Sequence, residues 1–504
     1  MERDLLSRRS FLALATMAAA GMTLNAAFGE SQELAYLTLK EASDLVRRRT
    51  VSPVELTVTC LKRIEAYNPA LNAFITVTRD EAMETAHAME GEQRRGKWRG
   101  PLHGIPVALK DNIDTAGVRT TAASELFKDR IPSEDAEVVR RLKVAGAVLL
   151  GKTNLHEFAL GGTSAVSYFG PVHNPWALDR IPGGSSGGSG AATAAGLCFG
   201  SLGTDTAGSV RIPASYCGIV GFRPTSGRVS SRGTVPDSWT LDQLGPLCRS
   251  VEDAALILEA IAGYDELDPA SVNVPVPNYG LTIQARVSKL RLGVPRVPFF
   301  DGLDPEVEKA IATAIEVLRG LAAEVRDITS PIIAAPLMEI WTKVAGAESY
   351  TYHSKWLAES PEKYQAATRR RLLTPTNASV QGQNSAEMKA SAYLEARRQL
   401  DLLRREVRKV FANVDLLILP TLLGPPATVA QGADPTVVSI RNTAPFSVLG
   451  LPSLSLPSGF TTTGLPIGLQ IVGAPFAEST VLALANAYER GTEWHKRHPK
   501  LDLA

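Results

Sequence analysis

Net charge is almost absent: 53 Lys and Arg stand against 52 Asp and Glu in 504 residues, a formal net charge of +1. That balance leaves no basic footprint for nucleic acid. Cysteine is scarce as well. The four, Cys60, Cys198, Cys217 and Cys248, include no CxxC pair, which argues against a zinc site, a redox motif or a disulfide framework. No metal and no cofactor is expected. Past the N-terminus no apolar run reaches the roughly 18 residues of a spanning helix, so no stable membrane anchor is expected. No internal repeat is visible. What remains, 44% hydrophobic and 21% charged, is ordinary globular composition.

The first residues read as an address. Ser7-Arg8-Arg9-Ser10-Phe11-Leu12 is a twin-arginine pattern, followed by an Ala-rich apolar stretch and small residues around Gly29. Residues 1–29 are therefore expected to be an export signal, with a periplasmic or exported mature chain.

The mature chain alternates helical and strand-like segments. Helices are expected within Leu37 to Val77, from Asp80 to Arg94, Asp135 to Ala145, Asp304 to Leu321, Ser385 to Val410 and Ser479 to Arg490. Thr38 and Ser52 stand at helix starts, Ser52 followed by Pro53 and Glu55. Short apolar strands are expected at Ile105 to Leu109, Ala147 to Leu150, within Cys217 to Thr225 where Pro224 ends it, at Leu290 to Val294, Asp415 to Pro420, Leu451 to Pro457 and Gly468 to Gly473. Leu241 to Ile261 reads as a turn and a helix starting at Ser250, and Tyr264 to Ser288 as an exposed connector. Thr329 to Gln383 has no clean periodicity beyond a helix over Leu337 to Tyr352. Its Trp341, Tyr350, Tyr352 and Trp356 are read either as substrate-shaping surface or as core. Strands spread over the whole length argue for one large α/β domain, residues 30–504, with a largely parallel sheet.

The organising stretch is Pro182 to Gly190, with Gly203 to Ser209 after it. Both read as Gly/Ser-rich turns around the small-residue segment Ala191 to Leu202. Glycine permits positive φ and close approach. Serine supplies a nucleophile or a proton relay. Turns of this kind present several N–H groups in one direction, a cradle for an oxyanion. Two spellings mislead here. Gly146 to Thr153 spells a phosphate loop, but its middle is apolar and strand-like, so its N–H groups belong to a sheet ladder. Gly183-Gly184-Ser185-Ser186-Gly187 spells a nucleophile elbow, but a proline-ended loop precedes it rather than a strand. The late histidines that such a triad would need, His353, His495 and His498, have uninformative contexts.

These stretches resemble the amidase signature family. The resemblance rests on Gly183 to Ser189 through Gly203 to Ala214, on Gly104-Ile105-Pro106-Val107 with Leu109-Lys110-Asp111-Asn112, on Gly151-Lys152-Thr153-Asn154 with Glu157-Phe158, on Gly221 to Thr225 and on Gly450 to Gly473. It spans about residues 36 to 490, with a signature core at about 100–230. It implies a mixed, mostly parallel twisted sheet covered by helices on both faces. It also implies a triad: Ser209 as nucleophile, Ser185 as relay on a cis peptide after Gly184, and Lys110 as base. The N–H groups of Thr206, Ala207, Gly208 and Ser209 would form the oxyanion hole. Asp205 and Arg211 would pair and hold the turn, and Gly184 and Ser186 would support it. Ala207 departs from the glycine common there, and a positive φ at 207 would strain it.

Such chemistry makes a physical demand. A lysine that is neutral near pH 7 gives up roughly 4–5 kcal/mol, at about 1.4 per pKa unit, and only burial or neighbouring cations supply that. The expected function is hydrolysis of a small-molecule carboxamide to a carboxylate and ammonia or an amine, with esters and carbamates open. Small aryl-acetamides are the substrates that the resemblance suggests. It leaves a homodimer open. The alternatives are the A-subunit of a glutamine-dependent aminoacyl-tRNA amidotransferase, which the export signal opposes, and a catalytically silent binding protein, which the intact triad opposes.

Overall fold

Two capping boxes open the fold. Thr38 caps the helix Leu39–Arg47 with Glu41 reaching back, and Ser52 caps Pro53–Leu71 with Glu55 doing the same. The computed structural model describes residues 34–330, 332–333, 335–373 and 388–501. The expected export signal lies outside them. Among the described residues no helix is long and apolar enough to cross a membrane, and the four cysteines are buried and free.

The chain is a single large α/β domain around one sheet of eleven strands. In chain order these are β1 (Phe74–Val77), β2 (Pro106–Lys110), β3 (Val148–Thr153), β4 (Gly200–Asp205), β5 (Val220–Arg223), β6 (Gln243–Cys248), β7 (Arg291–Val294), β8 (Glu324–Asp327), β9 (Leu416–Pro420), β10 (Ser453–Phe460) and β11 (Pro466–Gly473). Their order in space is β1-β3-β2-β4-β6-β5-β10-β11-β9-β7-β8. The sheet is mixed, as expected, but not mostly parallel. Only β3-β2-β4 and β8-β7-β9 pair in parallel. The hairpin β10-β11 and the inserted β6 make the middle antiparallel.

Several local expectations change. Gln243 to Cys248 is a strand, not a turn; its Gly245 and Pro246 hide the signal. The β5 ladder reaches only Leu247 and Cys248, so Pro246 sits where that pairing has ended. The Tyr264 to Ser288 connector contains a short helix, Tyr279–Thr282, whose Tyr279 is fully buried. Gly187–Ala194 is a helix and Gly203 to Asp205 finish β4, so the second Gly/Ser turn is confined to residues 206–210.

A second apolar cluster lies beside the sheet. The helices Leu337–Glu359 and Ala390–Glu406 bring Ile340, Val344 and Leu400 against Leu417 and Phe446. Glu348 ties this layer down. Its carboxylate accepts from the Thr240 amide and hydroxyl, the Ser238 hydroxyl and the Tyr393 phenol. The aromatics of this region divide between the two readings. Trp341 lines a cavity. Tyr352 and Trp356 pack with Phe127, Phe158 and His353 in an aromatic cluster.

Candidate active site

Parallel pairing sets the carboxyl ends of β2 and β4 side by side, the usual place for a site in such a sheet. Lys110 is the last residue of β2, and Thr204 and Asp205 close β4. Lys110 is fully buried. Its Nζ lies 2.6 Å from Ser185 Oγ and 2.7 Å from Thr204 Oγ1. Burial pushes its pKa down to about 7, against the upward pull of Asp242, Asp205 and Asp237. The amine is therefore able to take and return a proton near neutrality.

Ser185 follows a cis peptide from Gly184. Its carbonyl accepts from the Ser164 hydroxyl at 3.0 Å and the His156 amide at 3.1 Å. Ser186 stitches the two serine loops together: its amide donates to the Ser209 carbonyl at 3.3 Å, and its hydroxyl to the Thr204 carbonyl at 3.2 Å. Ser209 lines a cavity of about 480 Å³. Its hydroxyl has no hydrogen-bond partner among the described residues, Ser185 included. The fold thus joins Lys110 to Ser185 directly and brings Ser209 alongside by backbone.

The oxyanion expectation needs one correction. The Gly208 N–H donates to Asp205 Oδ1 at 2.8 Å, so it cannot face a substrate. The amides of Thr206, Ala207 and Ser209 make no hydrogen bond among the described residues and remain candidates. Ala207 is no source of strain, because the positive φ of the turn falls on Gly208, at 136°. A Cβ on Gly208 would come within 2.4 Å of Thr443 Oγ1, the hydroxyl that donates to the Ala207 carbonyl at 2.5 Å. Gly208→Ala is therefore expected to re-aim the turn and lower kcat by about 10²–10³-fold, the size of one lost oxyanion donor. Steady-state turnover beside a thermal melt checks it.

Asp205 and Arg211 pair as expected, at 3.0 Å, with both side chains fully buried. The Asp205 carboxylate also accepts from the Val210 amide at 3.2 Å. Arg223 joins them, 3.4 Å from the same carboxylate and bonded to the Asp205 carbonyl. Burial alone would raise the Asp205 pKa, but Arg211 and Arg223 together overcome it and hold the acid below its ordinary value. Arg211 extends the network to Gln470 at 2.7 Å and Ser447 at 2.6 Å.

Other site residues do not stand out in the sequence. Thr206 Oγ1 donates to Asp242 at 2.6 Å, which fixes the start of the turn. Asp237 is buried and Asp242 half-buried, and desolvation raises both acids. His156 lines the cavity, its pKa pushed down to about 3 by burial. Thr163 sets its tautomer. The Thr163 hydroxyl donates to the Gly432 carbonyl at 2.7 Å, so at 3.2 Å it accepts from His156 Nδ1–H. Nε2 is left as an uncharged acceptor. Local sequence gives no signal for Asp237, Asp242, His156 or Thr163, because sheet order and the Leu337–Glu359 layer bring them in. Among the described residues no cluster of His, Cys, Asp or Glu could hold a metal ion.

Comparison with known proteins fits this geometry. Residues 55–482 match the family model for amidases. The chain is 42% identical to the A-subunit of glutamyl-tRNA(Gln) amidotransferase from Moorella thermoacetica, over 94% of this chain and 100% of that one. The solved structure of 6-aminohexanoate cyclic dimer hydrolase with its substrate superposes with a TM-score of 0.83 at 29% identity, over 93% of this chain and 99% of that one. A bacterial aryl acylamidase of the amidase signature family gives a TM-score of 0.81 at 26% identity, over 92% and 98%.

Proposed function

The chain belongs to the amidase signature family, whose members act on amide C–N bonds, and from that premise we propose that it hydrolyses a small carboxamide through an acyl-enzyme on Ser209. In this reading Ser185 passes the Ser209 proton to Lys110. The Ser209 oxygen attacks the carbonyl carbon, and the N–H groups of Thr206, Ala207 and Ser209 receive the oxyanion. Lys110 returns the proton through Ser185 to the leaving nitrogen, which departs as ammonia or an amine. Water then attacks the acyl-enzyme by the same relay and releases the carboxylate. The observation that carries the reading is the buried Lys110 amine, held against Ser185 with its pKa pushed down to about 7.

Two measurements test it. Hydroxylamine added during turnover captures the acyl group as a hydroxamate; no capture from any hydrolysed amide counts against the covalent route. The pH profile supplies the second. Lys110 acts only when neutral, so kcat/KM is expected to rise with pH and level off above about pH 7. A flat profile from pH 5 to 9 contradicts a lysine base.

A second reading is favoured by the relatives. The A-subunit of glutamyl-tRNA(Gln) amidotransferase aligns along its whole length, so the amide cleaved here could be that of glutamine, with ammonia passed to a partner protein. Stable partner proteins that co-purify with the chain, and glutaminase activity that depends on them, support this reading. Activity of the isolated chain on simple amides supports the first. The twin-arginine pattern at Arg8-Arg9 favours the first as well, because it directs the chain to export; N-terminal sequencing of the exported protein tests that.

A further inference from the structure

A carboxamide brings two demands to the Ser209 cavity. Its carbonyl oxygen needs donors, and the Thr206, Ala207 and Ser209 amides are placed to supply them. Its N–H needs an acceptor, and a buried N–H left without one costs about 1–3 kcal/mol. His156 meets the second demand. Its ring lines the same cavity and is 6% exposed. Nδ1–H is spent on Thr163, whose own hydroxyl is committed to the Gly432 carbonyl, so the free lone pair is on Nε2. That atom has no donor among the described residues and is not closed to solvent. A Cβ on Gly161 would come within 2.5 Å of Nε2, Cε1 and Nδ1 alike. One ring face is therefore stacked on Gly161, while the Nε2 lone pair, which lies in the ring plane, stays clear of it.

The ring also stands at the reacting end. The His156 amide donates to the carbonyl of Ser185, the relay serine, at 3.1 Å. Burial first, then the Arg371 and Lys110 charges, hold the imidazole pKa down to about 3, so it stays an uncharged acceptor at working pH. We propose that His156 Nε2 accepts an N–H of the scissile carboxamide and thereby raises the rate on amides relative to esters of the same acid. The inference rests on the reading that Ser209 attacks an amide in this cavity. Holding the N–H toward His156 turns the nitrogen lone pair toward the Ser185 hydroxyl. As the C–N bond breaks, the Ser185 proton passes to that nitrogen, and Ser185 recovers one from the Lys110 ammonium. His156 exchanges no proton. An ester has nothing to donate there and sets an oxygen lone pair against Nε2.

Primary amides and methyl esters of the same acids, acetic to hexanoic and benzoic, make the test. Each pair forms the same acyl-enzyme, so the amide-to-ester ratio of kcat/KM compares acylation alone. His156→Phe keeps a ring and removes the acceptor; the ratio is expected to fall by about tenfold to a hundredfold, the size of one N–H left unpaired. His156→Gln sets an amide oxygen near the place of Nε2 and should hold the ratio within about threefold of the wild type. The ratio is read within each variant, so a smaller folded fraction cancels, and a merely structural role lowers both rates together. A ratio that His156→Phe leaves unmoved, or that falls as far in His156→Gln, overturns the inference while leaving the hydrolase reading intact. Hydrolysis of neither member of any pair counts against the hydrolase reading itself, and the inference falls with it.

Discussion

Lys110→Met is expected to lower kcat/KM on any hydrolysed amide by at least about 10⁴-fold, the scale seen when a catalytic base is removed, and to leave the melting temperature unchanged or raised. The two halves have one cause. Lys110 is fully buried at the end of β2, and burial pushes its pKa to about 7. The unfolded chain binds a proton on this lysine up to its ordinary value, while the folded chain releases it above about 7. Between those limits the unfolded state holds more protons, so this group's contribution to stability rises with pH and is lowest in acid. Methionine of similar length removes that penalty, and any gain should therefore be largest below pH 7. Thermal melts at pH 5.5 and 9, beside turnover at each, check both halves. A variant that loses rate only in proportion to folded protein contradicts a catalytic role.

The second large effect lies in stability. Asp205→Ala is expected to cost about 3–5 kcal/mol, because removing one partner leaves buried charge uncompensated. Two arginines, Arg211 and Arg223, are affected, and both are fully buried. The Gly208 and Val210 amides lose their acceptor as well. Asp205→Asn keeps one acceptor oxygen, for the Gly208 or the Val210 amide but not both, and removes the charge, so it should fall between the wild type and alanine. The folded pKa of Asp205 lies below its unfolded value, so its contribution is present above the ordinary carboxylate range and is lost only as the pH falls through the folded value. Denaturant titration at pH 7 measures the order of the three proteins. Equal stabilities would mean that the arginines find other partners.

Much of this site can be read from the chain because its chemistry is local. Thr38 and Ser52 announce helix starts through hydroxyls that need only the next three residues. Lys110 follows a short apolar strand whose end is marked by Asp111 and Asn112, and Ser185 and Ser209 lie in Gly-rich turns. What cannot be read depends on strand order. Arg223 looks like a strand end, and only the sheet brings it to Asp205. Asp242 looks like a loop acid until β6 is recognised, and Pro246 conceals that strand. The Gly208 amide looks free because the neighbouring residues do not reveal how the Asp205 carboxylate folds back onto its own turn. A parallel sheet is the natural reading of alternating helices and strands; the long β10-β11 hairpin is built from two segments that look the same in either direction.

The layer that Glu348 clasps has a consequence for descent. Lys110 and Asp205 belong to the sheet, whereas Met338, Trp341, Arg370 and Arg371 come from helices outside it. Exchanging those side chains disturbs neither the β2-β4 ladder nor the buried arginines. A lineage can therefore retool its diet one cavity-lining residue at a time, provided the clasp survives, and carry the same reacting apparatus unchanged to new foods.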